Sequence, residues 1–207
     1  MIHLSLKLPH QLAIAVSGGP DSMAALDFLA RRKQVLVLHF NHGTPHSDVA
    51  QKVVTEYCKK NELWCVTGDI GNEKPPPGAS LEDFWRKKRY QFFEENSSGL
   101  PVVTCHHLDD AVETWLFTSM HGDPRLIPSK RGRYLRPFLT TRKAVLEDWC
   151  EHKSIPCVFD PSNDDVRFMR NYIRHELIPR VIRVNPGIHK VLRKKIINNP
   201  VIFEEAF

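Results

Sequence analysis

Ser17-Gly18-Gly19-Pro20-Asp21-Ser22 follows a wholly apolar run and precedes an amphipathic one. A glycine pair at the end of a strand lets backbone N–H groups approach an anion without side-chain clash. The helix that follows turns its positive end to the same place. Ser17 and Ser22 add hydroxyl donors, and Pro20 suits the first helical position. The turn reads as a phosphate cradle, although no Gly-Lys-Ser/Thr follows it as in a Walker A loop. Asp21 would repel a phosphate unless a cation lies between them, and Mg2+ bridging carboxylate and phosphate is the simplest resolution. An aspartate that merely caps a glycine turn is the plainer alternative. Placed between strand and helix, S-G-G-x-D-S favours the cradle.

A second cluster is His106-His107-Leu108-Asp109-Asp110-Ala111-Val112-Glu113-Thr114. Asp109 and Glu113 are four residues apart and Asp110 and Glu113 three, so either pair can share a helix face. Three carboxylates beside a phosphate site suit a cation, either an ammonium group or a second role for Mg2+. One of them could also serve as base for an amine. A charged, capped helix start is the alternative. His106 and His107 lack a second His/Cys cluster at zinc-site spacing, so they are read as polar groups at a site mouth or as core and cap residues. His42 is read as structural, with a nucleotide contact as the alternative. Arg86 and Arg89 could contact phosphate together, or form a solvated basic face with Glu82. Asn163, Arg170, Asn171 and Arg174 combine planar amides with guanidiniums that suit phosphates or base edges. An internal salt network with Asp160, Asp164 and Glu176 is the competing reading, expected for at least one of them. Trp115, Trp149 and Phe168 are read as core rather than as base-stacking platforms.

The elements that must carry these residues alternate. Leu12–Val16, Val35–Phe40, Leu63–Thr67 and Pro101–Cys105 have strand length and apolar character. Asp21–Arg31, Ser47–Lys60, Leu81–Glu94 and Asp109–Met120 have helical periodicity, and Lys74–Gly78 is a stiff loop. Such alternation implies crossover units and an open, mostly parallel sheet with helices on both faces. Ligands then sit at the carboxyl ends of the strands, where both the SGGPDS and HHLDDAVET turns are expected. Gly122–Arg136 reads as a polar, basic linker. Thr141–Lys153 and Phe168–Val181 read as helices, the latter broken at Pro179. The last stretch, ending INNPVIFEEAF, has weak periodicity and is expected to fray. The expected division is an α/β core over 1–124 and a basic helical extension over 125–207.

The 207 residues carry a net charge of +5, unevenly placed. Residues 125–195 hold 17 Lys/Arg against 7 Asp/Glu, while the remainder holds 12 against 17. A back half at +10 and a remainder at −5 point to a polyanion facing the back half. Five cysteines with no C-x-x-C pair exclude a disulfide framework or a zinc ribbon, and reduced thiols in a cytoplasm are expected. The N-terminus lacks the uninterrupted apolar core of a signal peptide, and no run is apolar enough to span a membrane.

SGGPDS resembles the loop of the N-type ATP pyrophosphatases (the PP-loop superfamily), which adenylate a substrate oxygen and release pyrophosphate. Later motifs resemble those of the tRNA(Ile)-lysidine synthetase family. They are the His-Gly element Val37–Gly43, the helix Glu82…Arg86–Tyr90, the turn His106–Thr114, Arg136–Leu139, Asp160–Asn163, Arg170–Arg174 and Leu177–Pro179. Order and spacing hold from about Ala13 to Pro179. The resemblance implies a Rossmann-like PP-loop fold, ATP with Mg2+ held at Asp21, and Ser17, Gly18, Gly19, Pro20, Asp21, Ser22 and His42 at the nucleotide. It implies Asp21, Asp109, Asp110 and Glu113 as catalytic residues, with free L-lysine attacking the activated C2 of a wobble cytidine. It implies a tRNA(Ile) with a CAU anticodon as partner, met by Arg86, Arg89, Asn163, Arg170, Asn171 and Arg174. A tRNA-thiolating PP-loop enzyme and a non-catalytic nucleotide- or tRNA-binding protein are the alternatives. His121-Gly122 stands where the family usually has Arg-Gly, and DPRLIPSKRGRY replaces a glycine-rich stretch. The resemblance covers the family's catalytic domain only. Familiar bacterial members continue into C-terminal domains that help bind tRNA, a surface that a homodimer could supply here.

Overall fold

A computed structural model describes residues 1–71, 73–161 and 165–204. It separates into two compact units. A sheet unit comprises Pro9–Thr104 with Trp149–Val158, and a helical unit comprises Met1–Leu8, Cys105–Asp148 and Phe159–Phe207.

In the sheet unit, strands β1 (Gln11–Ala15), β2 (Gln34–Asn41), β3 (Trp64–Asp69) and β4 (Val102–Val103) run parallel in the order β3-β2-β1-β4. Ala13 pairs with Leu36 on one side and with Val102 on the other. Leu12, Ala13 and Ile14 are successive and fully buried. Successive side chains of a strand point to opposite faces, so both faces of β1 are covered, as a parallel sheet requires. The covering helices are α1 (Pro20–Ala30), α2 (Pro45–Lys60) and α3 (Leu81–Asn96), all packed against β2. The chain builds outward from β1 to β3 and then returns to the far side of β1 as β4. That reversal puts the loop after β1 at the topological switch point, where sheets of this kind bind ligands.

The helical unit contains α4 (Leu108–Met120), β5 (Lys130–Arg131), β6 (Tyr134–Leu135), the start of α5 (Lys143–Lys153), α6 (Met169–Tyr172), α7 (Ile178–Val184), α8 (Ile188–Asn198) and β7 (Ile202–Phe203). Its core joins Leu108, Ala111, Val112 and Leu116 of α4 to Ile173, Ile178, Ile188, Leu192 and Ile196. Burying each of these larger side chains contributes roughly 1.5–3 kcal/mol.

Three sequence expectations change here. The stretch 122–136 is not merely a linker, because β5 and β6 form a hairpin around Gly132-Arg133 and β7 pairs parallel to β5. Gly132 has φ +54°, which suits a two-residue hairpin turn. The last stretch forms α8, with Ile188, Leu192 and Ile196 at a spacing of four on the buried side. The helix over 169–184 is not broken at Pro179 but widened: Ile173–Leu177 is π-helical, and the Ile178 N–H donates to the Ile173 carbonyl. Pro179 has no N–H for an α-helical bond to His175, and its ring would crowd that carbonyl. The wider turn also brings residues five apart onto one face, so both Ile173 and Ile178 reach the core.

Candidate functional site

The loop after β1 is shaped by its own side chains. Ser22 Oγ accepts the Ser17 N–H at 3.1 Å and donates to the Gly19 carbonyl at 3.0 Å. A hydroxyl has one proton, so across the 3.1 Å contact between the two hydroxyls Ser17 is the donor. Gly18 has φ +91°, and a Cβ there would lie 3.0 Å from Ala50 Cβ, so a side chain at this position is strained. The Gly18 carbonyl accepts the Val158 N–H at 2.9 Å. Gly19 is the N-cap of α1 and makes no side-chain cap, while Asp21 lies in the first turn. A helix start without a side-chain cap suits an anion. Mg2+ takes one or two carboxylates and completes its shell with phosphate oxygens and water, so a single carboxylate beside such a helix start fits a magnesium–phosphate group. Burial, helped by Cys157 and the charges of Asp21 and Asp27, pushes the Cys150 thiol up to about 12. Its Sγ donates to the Pro20 carbonyl at 3.3 Å, so the thiol braces the loop as a neutral group.

His42 is set in an aromatic nest, its ring centroid 5.2 Å from those of both Phe40 and Trp85. Burial, followed by the charges of Arg89 and His39, lowers its pKa to about 4. Its Nε2 lies 3.4 Å from the Arg89 guanidinium, and a neutral imidazole can accept there. Arg86 instead lies over the Tyr90 ring at 4.9 Å. The two arginines therefore take different neighbours.

The acidic cluster in the helical unit divides in two. Asp109 Oδ2 accepts the Lys143 N–H at 2.7 Å, while Oδ1 is met by His189 Nε2 and Arg142 Nε, each at 3.1 Å. Burial alone would raise its pKa, but the bonds from His189 and Lys143 and the charge of Arg142 hold it well below the usual carboxylate range. An ionised carboxylate only accepts, so His189 Nε2 carries the proton of that bond. Asp109 thus latches α4 to the start of α5 and to α8.

Asp110 and Glu113 turn the other way. Asp110 forms a capping box with His107: Oδ2 accepts the His107 N–H at 2.9 Å, and His107 Nδ1 accepts the Asp110 N–H at 3.3 Å. Arg174, on the π-helical turn, places NH2 2.8 Å from Glu113 Oε2 and 3.4 Å from Asp110 Oδ1. Arg170 NH1 lies 3.7 Å from Glu113 Oε1. Glu113 is only 2% exposed. Burial pushes its pKa up and Asp110 adds to this, against the partial offset of Arg174 and Arg170. A carboxylate of raised pKa beside a second one is an arrangement that can hold an ammonium group and accept a proton from it.

Arg170 and Arg174 thus form ion pairs within the protein, and the partners seen among the described residues, Glu113 and Asp110, are on α4. Asn171 is buried and donates to the Asp165 carbonyl at 3.0 Å, which fixes the turn before α6. Asn163 lies outside the described residues. Arg142 and His189, the partners of Asp109, were not singled out in the sequence. Neither sits in a motif, and both reach Asp109 from elements distant in the chain.

The sequence matches the PP-loop domain over residues 3–181. The chain belongs to the PP-loop domain family. This PP-loop protein is 33% identical over 194 residues to the tRNA(Ile)-lysidine synthase of Geobacter sulfurreducens, covering 86% of the chain and 41% of that protein. It is 28% identical over 198 residues to the tRNA(Ile)-lysidine synthase of Thermotoga sp. (strain RQ2), covering 88% of the chain and 48% of that protein. The chain thus spans less than half the length of these curated relatives. Among solved structures, the U34-tRNA thiolase NcsA of Methanococcus maripaludis, with its [4Fe-4S] cluster, superposes with a TM-score of 0.71. That likeness covers 95% of this PP-loop chain and 75% of the thiolase at 12% identity, and it shows the fold alone.

Proposed function

We propose that this PP-loop protein joins lysine to the wobble cytidine of a CAU-anticodon tRNA(Ile), with ATP converted to AMP and pyrophosphate. The observation that carries this reading is the Asp110–Glu113 pair, three residues apart on one face of α4 and engaged with a cation at Arg174. The names of the relatives give the reading its substrates.

Gly18, Gly19 and the N-terminal turn of α1 receive the ATP phosphates, with Asp21 as the carboxylate that would hold Mg2+. When bound, Mg2+ offsets the charge of the phosphates. The cytidine O2 attacks the α-phosphorus, and pyrophosphate leaves. Asp110 and Glu113 bind the ammonium group of lysine in the place Arg174 takes without substrate, and Glu113, whose pKa is raised, takes its proton. The amine adds to C2, and AMP departs with the oxygen. Asp109 acts through position, because its lone pairs already serve Lys143, His189 and Arg142. The basic hairpin around Lys130, Arg131 and Arg133 faces tRNA phosphates. The product is soluble tRNA, and among the described residues no helix is long and apolar enough to cross a membrane.

The test is purified protein with ATP, radiolabelled lysine and unmodified tRNA(Ile) transcript. Labelled tRNA should accumulate with one AMP per lysine, and a CAU-anticodon methionine tRNA should remain unlabelled. Failure to label either tRNA, with no AMP formed, removes the proposal.

A further inference from the structure

Phe168 is exposed rather than buried in the core. It shows 57% of its surface, next to Met169 at 59% and Tyr172 at 48%, with Val166 also exposed. Four exposed large apolar residues within seven positions are more than the scattered single residues of an ordinary surface, and such patches mark interaction sites. The group leads into a helix, with Phe168 as the N-cap of α6. The Tyr172 N–H donates to the Phe168 carbonyl at 2.9 Å, so Phe168 and Tyr172 stand one turn apart, with Met169 beside them. Four residues of helix rise about 6 Å. Two stacking steps between bases span about 6.8 Å, close to that rise.

The surroundings identify the occupant by charge. Arg167 and Arg170 are interleaved with the apolar residues and are mostly exposed, at 88% and 68% of their side chains, while one edge of each guanidinium meets a carboxylate, Asp165 at 2.7 Å and Glu113 at 3.7 Å. Aromatic faces interleaved with guanidiniums suit unpaired nucleotides, whose bases stack while their phosphates pair. An apolar protein partner would gain nothing from the arginines, and duplex RNA offers no exposed base faces.

We propose that Phe168, Met169 and Tyr172, flanked by Arg167 and Arg170, form a stacking platform for unpaired bases of an RNA loop. The inference rests on the reading that the substrate is the anticodon loop of a tRNA. Chemistry at a ring carbon needs the target base out of its stack, and a platform for its neighbours keeps the loop splayed.

The test is a fluorescence titration with an anticodon stem-loop RNA carrying 2-aminopurine in the loop, beside a duplex RNA of equal length. Wild-type protein should quench the probe. Phe168→Ala should weaken loop binding by roughly 5- to 100-fold, from the usual contribution of one stacked base, and should abolish most of the quenching. Phe168→Trp should retain both. Phe168→Leu keeps apolar surface without a ring and should behave like the alanine variant. Duplex affinity and the thermal melt should be unchanged in all three. Equal quenching and affinity in wild type, Phe168→Ala and Tyr172→Ala would overturn the platform. So would a loss shared equally by loop and duplex, or loss of self-association with loop binding intact. These readouts need neither ATP nor lysine. A wild-type protein that binds the loop through the rings yet forms no lysidine would leave the platform standing and remove the function proposed above.

Discussion

Replacing Asp109 by asparagine should unlatch α4 from the start of α5 and from α8. The structure supplies the magnitude. Asp109 accepts two bonds in a largely buried setting, from the Lys143 N–H at 2.7 Å and from His189 Nε2 at 3.1 Å. A hydrogen bond to a charged group contributes roughly 1.5–3 kcal/mol net. Arg142 is 45% exposed, and its pair adds only about 0–1 kcal/mol. Asparagine keeps one acceptor, so one bond survives in weaker form, while the buried His189 donor is left competing for it. The expected loss is about 3 kcal/mol, or a fall in Tm of roughly 6–12 °C for a chain of this size. Urea unfolding followed by circular dichroism measures it, with the slope m unchanged. The pH dependence provides the second half of the test. Folding lowers the Asp109 pKa from the ordinary 3.8, so the unfolded chain binds the extra proton. The stabilisation is therefore complete above the ordinary aspartate value and is lost as pH falls towards the folded one. The asparagine variant should lack that component of the acid limb. An unchanged urea midpoint, or wild type and variant losing stability in parallel on acidification, would refute the latch.

Asp21→Ala should abolish pyrophosphate release while leaving the thermal melt within about 1 kcal/mol of wild type, since the residue lies in a first helical turn and not in the core; retained Mg2+-dependent ATP turnover would count against its assigned role. Glu113→Gln should lower kcat for lysine transfer by about 10²–10⁴-fold with little change in the KM for ATP. In wild type the amine-transfer rate should rise with pH through the raised Glu113 value, and a variant that keeps this limb would assign the base elsewhere. Gly18→Ala should destabilise the sheet unit by about 1–2 kcal/mol through its left-handed φ, with further loss from the approach to Ala50 Cβ, read as a lower thermal midpoint. Alanine at Lys130, Arg131 and Arg133 together should weaken binding to all tRNAs alike and flatten the slope of log affinity against log salt by about 2–3, from some 0.7–0.9 per phosphate contact; an unchanged slope would make the hairpin a bystander.

What the sequence revealed was whatever is local. The four parallel strands, the glycine-serine turn and the helix starts at Pro20, Pro45 and Leu81 follow from apolar runs, prolines and caps, and their bounds moved by no more than two residues in the sheet unit. The hairpin at Lys130–Leu135 was hidden because each of its strands is only two residues long, below the length at which alternation can be seen. Helix α8 was hidden because only three apolar positions mark its buried stripe among five charged or amide residues. The site showed the same divide. That Asp110 and Glu113 share a helix face was legible from their spacing, and that Asp21 lies in a first helical turn from the strand-to-helix pattern. The separate fate of Asp109 was not, because His189 lies 80 residues away and only folding brings it within 3.1 Å. Phe168 was misread because an aromatic residue next to a helix start gives no hint of which side faces solvent.

The widened turn at Ile173–Leu177 makes the count of residues as informative as their identity. An α-helix turns about 100° per residue. Removing one residue between Arg174 and Ile178 would let the segment close into regular helix, and the chain N-terminal to the cut would swing by that angle. Every motif letter would remain, yet the guanidinium would no longer point at Glu113. A reading frame of this kind tolerates substitutions at His175 and Glu176 far better than a change of length. A homologue with one residue more or fewer there should be taken as a different site, however well its letters match.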